Sequence, residues 1–341
     1  MKPDTLDHLR QLIADLPDAN DAAARNAAAR QDNLVKPAGS LGRLEEIAVH
    51  LARWQGTERP TMDRARTIIF AGSHGITKHG VSAFPDEVNA QMLAGFGAGF
   101  AAICQLTSAF GAELSVVDCG IATPTADFTT QPAMDESAFL AAVAMGLDAV
   151  RGTEDLLVFG EMGIGNTTAA AAVALALFGG EARDWVGPGT GVDDAGIGRK
   201  ADVIARALAT HGAALDDPLL ALSHVGGREL AAIFGACLAA RRHRIPVLLD
   251  GFIVTAAVAP LHLIAGADGL AHALAAHQSG EPGHQRLLAK LELDPLLALG
   301  MRLGEGSGAA TALGLVRAAL ACHNGMATFA EAAVAGSKQD S

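Results

Sequence analysis

Hydrophobic positions along the chain fall into two periods. Between residues 41 and 54, Leu41, Leu44, Ala48, Leu51 and Trp54 recur at helical spacing on one face, which predicts an amphipathic helix with Ser40 as its N-cap. Residues 1–35 read as polar helix, and the Ala-rich stretches 21–30 and 168–176 also read as helical. Beyond residue 60 the pattern changes. Short, nearly continuous apolar runs at 67–71, 114–118, 156–159 and 247–250 alternate with longer helical stretches, and weaker runs lie near 271–275 and 296–300. Runs of Val, Ile and Leu without polar alternation suit strands buried on both faces of a parallel sheet. Their alternation with helices predicts an α/β fold, a parallel sheet with helices on both faces.

Polar, Gly-rich segments follow each of the four stronger runs, at 72–76, 119–121, 160–168 and 250–252. Ligands of open α/β sheets bind in the crevice at the carboxyl ends of the strands. Four polar turns in that topological place predict one composite site.

Composition narrows the partners. The chain has 341 residues, 50% hydrophobic and only 4% aromatic, with 39 glycines, which fits tightly packed α/β layers and not disorder. A net charge of −12 argues against nucleic acid, which needs a concentrated basic surface, but allows a small anionic substrate. The apolar stretch Phe252–Leu261 is about ten residues long, too short for a bilayer. The opening MKPDTLDHLRQLIADL carries acids where a signal peptide would be apolar, so the cytoplasm is expected. Four cysteines without a CxxC pair read as buried free thiols, and twelve histidines without HExxH leave a metal no evident home. His272 and His277 are spaced wrongly for adjacent helical turns and read as structural or substrate-contacting.

Three segments carry candidate chemistry. In Gly160–Thr167, three glycines precede an Ala-rich helix, so Gly163, Ile164, Gly165, Asn166 and Thr167 can present backbone N–H groups to a phosphate beside Glu161. The spacing also mimics GxxxxGK[ST], with Asn166 in the lysine position. A degenerate P-loop ATPase or regulatory module is therefore the alternative reading, weakened by the missing lysine. A second cluster, 187–194, contains Gly189 and precedes Lys200; alone it is a loop, and with the first it can close over a sugar phosphate. The third, 301–309, places Glu305 between glycines before another helix. A carboxylate there either complements the helix dipole or, in a partly apolar cleft, serves as a general base.

In this order the segments resemble the nicotinate-nucleotide–dimethylbenzimidazole phosphoribosyltransferase family. The resemblance spans about residues 36–320 and rests on Lys36-Pro-Ala-Gly-Ser-Leu-Gly-Arg-Leu-Glu-Glu, His74-Gly-Ile, Gly80-Val-Ser-Ala-Phe-Pro, Gln91-Met92, Phe159-Gly-Glu-Met-Gly-Ile-Gly-Asn-Thr-Thr and Gly189-Thr-Gly. It continues through Asp193-Asp-Ala-Gly, Pro246-Val-Leu-Leu-Asp-Gly-Phe, Gln278-Ser-Gly-Glu-Pro-Gly-His and Arg302-Leu-Gly-Glu-Gly-Ser-Gly.

The family implies a Rossmann-like large domain, 61–309, a small helical domain from 1–60 with 310–341, and a homodimer. It implies transfer of phosphoribose from nicotinate mononucleotide to 5,6-dimethylbenzimidazole, with no cofactor and no metal. Glu305 would be the general base. Glu161, Gly163, Ile164 and Lys200 would lie at the nucleotide, and Ser82, Gln91, Met92, Met301 and Leu303 at the base. Three positions depart from the family pattern: Ser73 replaces an aspartate, Pro188 an arginine, and Asn89-Ala90 the usual pair before Gln91.

Overall fold

A computed structural model describes residues 2–335. Residues 336–341, the end of the expected small domain, lie outside the described residues. The N-terminal segment is two helices rather than one, α1 (Leu6–Ala14) and α2 (Asp21–Asn33). Pro17 lies between them, where it has no N–H to continue a helix, and Asn20 caps α2 by accepting from Ala23 N. The amphipathic helix α3 spans Arg43–Gln55 and starts later than expected, with Gly42 and not Ser40 at its N-cap. No side chain caps the first turn; Glu45 within it reaches back to accept from Leu41 N at 2.9 Å and from Lys36 at 2.8 Å.

Five strands, β1 (Ala65–Ala71), β2 (Glu113–Asp118), β3 (Leu156–Met162), β4 (Val247–Leu249) and β5 (Ala273–Ala275), form one sheet in the order β2-β1-β3-β4-β5. Every neighbouring pair is parallel. This is a doubly wound order, with its switch point between β1 and β3. The run near 296–300 is not a strand, since Leu297 makes only an isolated bridge to His277.

Alternate strand residues feed two cores. Ile68, Phe70, Leu157, Phe159, Val247 and Leu249 join one, while Ile69, Ala71, Leu156, Val158 and Leu248 join the other. The second core is closed by α3, α4 (Glu87–Ala98), α5 (Ala102–Ala109) and the long C-terminal helix Ser307–Gly325. The first is closed by α6 (Glu136–Ala149), α7 (Asn166–Phe178), α8 (Asp194–His211), α9 (Pro218–Val225), α10 (Arg228–Arg242), α11 (Phe252–Ala265) and α12 (Pro282–Lys290). Burial on both faces explains why β1, β3 and β4 read as continuous apolar runs, whereas β2, read the same way, is an edge strand with Leu114–Val117 half-buried and Glu113 and Asp118 exposed.

The C-terminal helix Ser307–Gly325 is α13, and α14 (Phe329–Ala332) follows it. A Cβ on Gly160 of β3 would fall 2.5 Å from the Gly306 nitrogen, so glycine lets the start of α13 press on the sheet. The two chain ends also meet. Leu34 bridges Thr328, and Arg30 donates to the carbonyls of His323 and Met326, both at 2.9 Å. The segment Glu87–Ala109 is apolar, with a mean hydropathy of 1.4, but Gly99 at φ 81° ends α4 before α5 begins. Neither piece reaches the roughly 30 Å of a bilayer core.

Candidate active site

Strand β3 runs to Met162, pairing Ala71 with Met162 and Phe70 with Glu161. The expected loop at 160–168 thus shrinks to Gly163–Gly165, and Glu161 is a strand residue fixed by the sheet ladder. Gly165, at φ 94°, is the N-cap of α7. At the carboxyl ends of β3 and β4 a cavity of about 610 Å³ opens. Four carboxylates line it: Glu161, Asp250, Glu281 and Glu305. An apolar wall of Phe84, Val88, Met92, Phe252 and Leu303 faces them.

Burial raises the acids. Glu161 is pushed up to about 8, chiefly by loss of solvent; donation from Asn166 opposes the shift, and the charges of Asp250, Glu229 and Glu305 add to it. Glu305 is raised by burial and then by Asp250. Glu281 is raised by burial against the pull of Lys200 and the Gly189 N–H. Glu305 also has a left-handed backbone, φ 60°, between Gly304 at 81° and Gly306 at 78°. A non-glycine residue in that region costs energy and is held by its surroundings, as at functional sites.

The cavity walls include Glu161, Gly163, Ile164, Asn166, Thr167, Gly189, Met92, Leu303 and Glu305. Other expected contacts are not brought there. Lys200 is 1% exposed beneath the glycine loop, donating to Gly187 O at 3.0 Å and Thr167 Oγ1 at 3.3 Å, and burial lowers its pKa. Gly165 lies behind the turn, with Thr77 and His74 beside it. Ser82 is at the rim, its hydroxyl 3.1 Å from Thr190, and Gln91 is exposed on α4. Met301 stands off the wall, its carbonyl accepting from Gly280 N at 2.9 Å.

Two expected anion donors are already committed. Ile164 N donates to Asn89 Oδ1 at 2.8 Å, and Gly189 N to Glu281 Oε1 at 2.9 Å. The departures Ser73 and Asn89 are partners of each other, with Asn89 donating to Ser73 Oγ at 3.0 Å and Ser73 to Ile121 O at 2.8 Å.

Sequence reasoning missed Asp250, Glu281 and Arg302 as site residues, although each lies in a motif that carried the resemblance. Arg302 is the one lysine or arginine on the cavity wall among the described residues, and it donates to Gly189 O at 3.2 Å. Of the histidines at 272–284, His284 and His272 are structural, with His284 bonded to Ser279 N at 2.9 Å and Thr255 at 3.1 Å and His272 to Cys237 O at 3.2 Å, whereas His277 reaches the cavity wall. No cluster of three metal-ligating side chains occurs among the described residues. All four cysteines are free, but only Cys119 and Cys237 are buried; Cys104 and Cys322 are half-buried, which corrects the expectation for those two.

A doubly wound sheet with an acidic, half-apolar cavity at its strand ends defines a small-molecule α/β enzyme. The family model described as phosphoribosyltransferase matches residues 16–334, and the chain belongs to the nicotinate-nucleotide–dimethylbenzimidazole phosphoribosyltransferase family. It is 60% identical to the nicotinate-nucleotide–dimethylbenzimidazole phosphoribosyltransferase of Mesorhizobium japonicum, covering 97% of this chain and 98% of that one. The protein of the same name from Novosphingobium aromaticivorans is 58% identical, over 94% of each chain. Among solved structures, CobT from Thermus thermophilus superposes with a TM-score of 0.87 at 40% identity, over 93% of this chain and all of that one. The P-loop alternative finds no support: Asn166 is turned inward to Glu161 instead of outward to a phosphate.

Proposed function

We infer that the protein transfers the phosphoribosyl group of nicotinate mononucleotide to 5,6-dimethylbenzimidazole, forming α-ribazole 5′-phosphate and nicotinate in assembly of the cobalamin lower ligand. The observation that carries the mechanism is Glu305, a buried carboxylate with a raised pKa, locked in a left-handed turn opposite an apolar wall. Nicotinate on ribose is a pyridinium and leaves without strong acid help. The attacking benzimidazole nitrogen would become cationic unless its other nitrogen loses a proton, and Glu305 accepts that proton. Met92, Leu303, Val88 and Phe84 offer a flat base an apolar slot.

On this reading Arg302 holds an anionic group of the nucleotide, with Gly163 and Thr167 beside it at the start of α7. No metal or cofactor takes part. The chain ends, 1–60 and 310–341, act as a small helical unit beside 61–309, a reading supported by the bridge between Leu34 and Thr328. Phe84, Phe100, Leu299 and Leu303 are all more than half exposed, which favours a homodimer that covers them; sedimentation at equilibrium tests it. The reaction runs in the cytoplasm.

Incubation with nicotinate mononucleotide and a panel of benzimidazoles, purines and phenols, with products identified by mass, tests the activity and its base preference. Binding of Mg-ATP with no nucleotide transfer would sink the reading.

A further inference from the structure

The turn that carries Glu305 has an anchor outside its own segment. Asp250 follows β4 and is 2% exposed. One of its oxygens accepts from Gly306 N at 3.0 Å, and the other accepts from Ala309 N at 3.0 Å. A single carboxylate thereby takes two N–H groups of the first turn of α13, where negative charge is favoured by unpaired donors and the helix dipole. Because Gly306 is the residue after Glu305, this grip fixes the left-handed peptide that aims the Glu305 side chain.

The anchor is itself held. His277 Nε2 is 3.2 Å from Asp250 Oδ1, and the ring lies so close to Gly308 that any side chain there would collide with it. Three elements thus converge on one group: the end of β4, the bridge residue after β5, and the start of α13.

We propose that Asp250 is a positioning residue of the transfer reaction, holding Glu305 in its reactive geometry through Gly306 and Ala309 and acting on it electrostatically, with His277 as its support. The proposal rests on Glu305 being the base. The titratable groups that share the cavity with Glu305 are Glu161 on β3, Asp250 after β4, His277 after β5, Glu281 just before α12, and Arg302 on its own segment. Asp250 opposes ionisation of Glu305, so its charge keeps the carboxylate a better proton acceptor than an isolated one.

The test is a pH–rate series on wild type, Asp250→Asn, Glu305→Gln and the double variant. Asp250→Asn keeps the size of the side chain but loses one acceptor. Its plateau turnover should fall about 10–100-fold, the scale set by small misplacements of a catalytic group. The acid limb of kcat/KM should move to lower pH, since the charge that raised Glu305 is gone. In the Glu305→Gln background the same change should cost less than about twofold, because it acts through a base no longer there. His277→Ala covers the case in which Asp250→Asn does not fold: withdrawing the ring takes away the side chain that lies beside Asp250, so the charge of Asp250 bears more fully on Glu305 and the acid limb should move to higher pH.

If Glu305→Gln turns over normally, the assignment of the base fails whatever Asp250 does. If Glu305→Gln is impaired but the Asp250→Asn loss multiplies onto it, or the acid limb stays in place, the positioning role fails and the base assignment stands.

Discussion

Asn166, the first residue of α7, donates its side-chain amide to Glu161, five residues back across the Gly163–Gly165 turn. The bond ties the end of β3 to the start of the helix and occupies the group that a nucleotide triphosphatase would replace with lysine. That one neutral donor is set against loss of solvent first and three acidic neighbours after it, and the buried carboxyl has a pKa near 8.

That carboxyl makes stability depend on pH. The unfolded side chain loses its proton near its ordinary value, while the folded one keeps it up to about 8, so the folded state binds more protons in between. Stability from this group is therefore greatest at low pH and falls as pH rises through that window. Glu161→Gln should raise Tm more at about pH 8 than at about pH 5. A difference in Tm that does not change with pH in calorimetry would contradict the buried, protonated state.

Glu305→Gln keeps shape and hydrogen bonding but removes the proton acceptor. Turnover should fall by about two to four orders of magnitude, with nicotinate mononucleotide binding little changed in calorimetry. Near-normal turnover together with a dead Glu161→Gln variant would transfer the catalytic role to Glu161.

Arg302 and Lys200 should separate cleanly. Arg302 reaches the cavity, so Arg302→Met should raise KM for nicotinate mononucleotide about 10–100-fold through loss of one charge-assisted hydrogen bond. Lys200 is buried against Gly187 O and Thr167, so Lys200→Met should mainly lower Tm. The reverse pattern would return the anion contact to Lys200.

Asn89 links α4 to the turn after β3. Asn89→Ala strands the Ile164 N–H, which costs about 1–3 kcal/mol, and loosens the helix that carries Val88 and Met92. A lower Tm is expected, with KM for the base rising more than KM for the nucleotide. Equal rises would separate Asn89 from the base wall.

Turnover should survive exhaustive chelation by EDTA, since the mechanism routes no step through a metal. Activity lost to the chelator and restored by a divalent ion would overturn it.

Much of this protein was legible along the chain because its central strands are buried on both faces, which writes them as continuous apolar runs such as 67–71 and 156–159. The glycine turns after those strands, the place of Glu305 and the family itself could be read the same way, since each depends on local spacing. Where a residue is partnered across the sheet is a different matter. Asp250 grips Gly306 from 56 positions away, Asn89 takes the Ile164 N–H from 75, and Glu281 the Gly189 N–H from 92. No local pattern marks such pairings, so only the tertiary structure shows that Ile164 and Gly189 are already satisfied, that Lys200 lies behind its loop, and that Arg302 reaches the cavity. Helix starts fail for a related reason: Ser40 has the chemistry of a cap, but the Gly42 N–H is taken by Gly39 O and the helix begins at Arg43. Sequence determines which groups are available, and the fold decides which of them remain free to meet a substrate, because hydrogen-bonding groups buried by packing must find their partners within the protein.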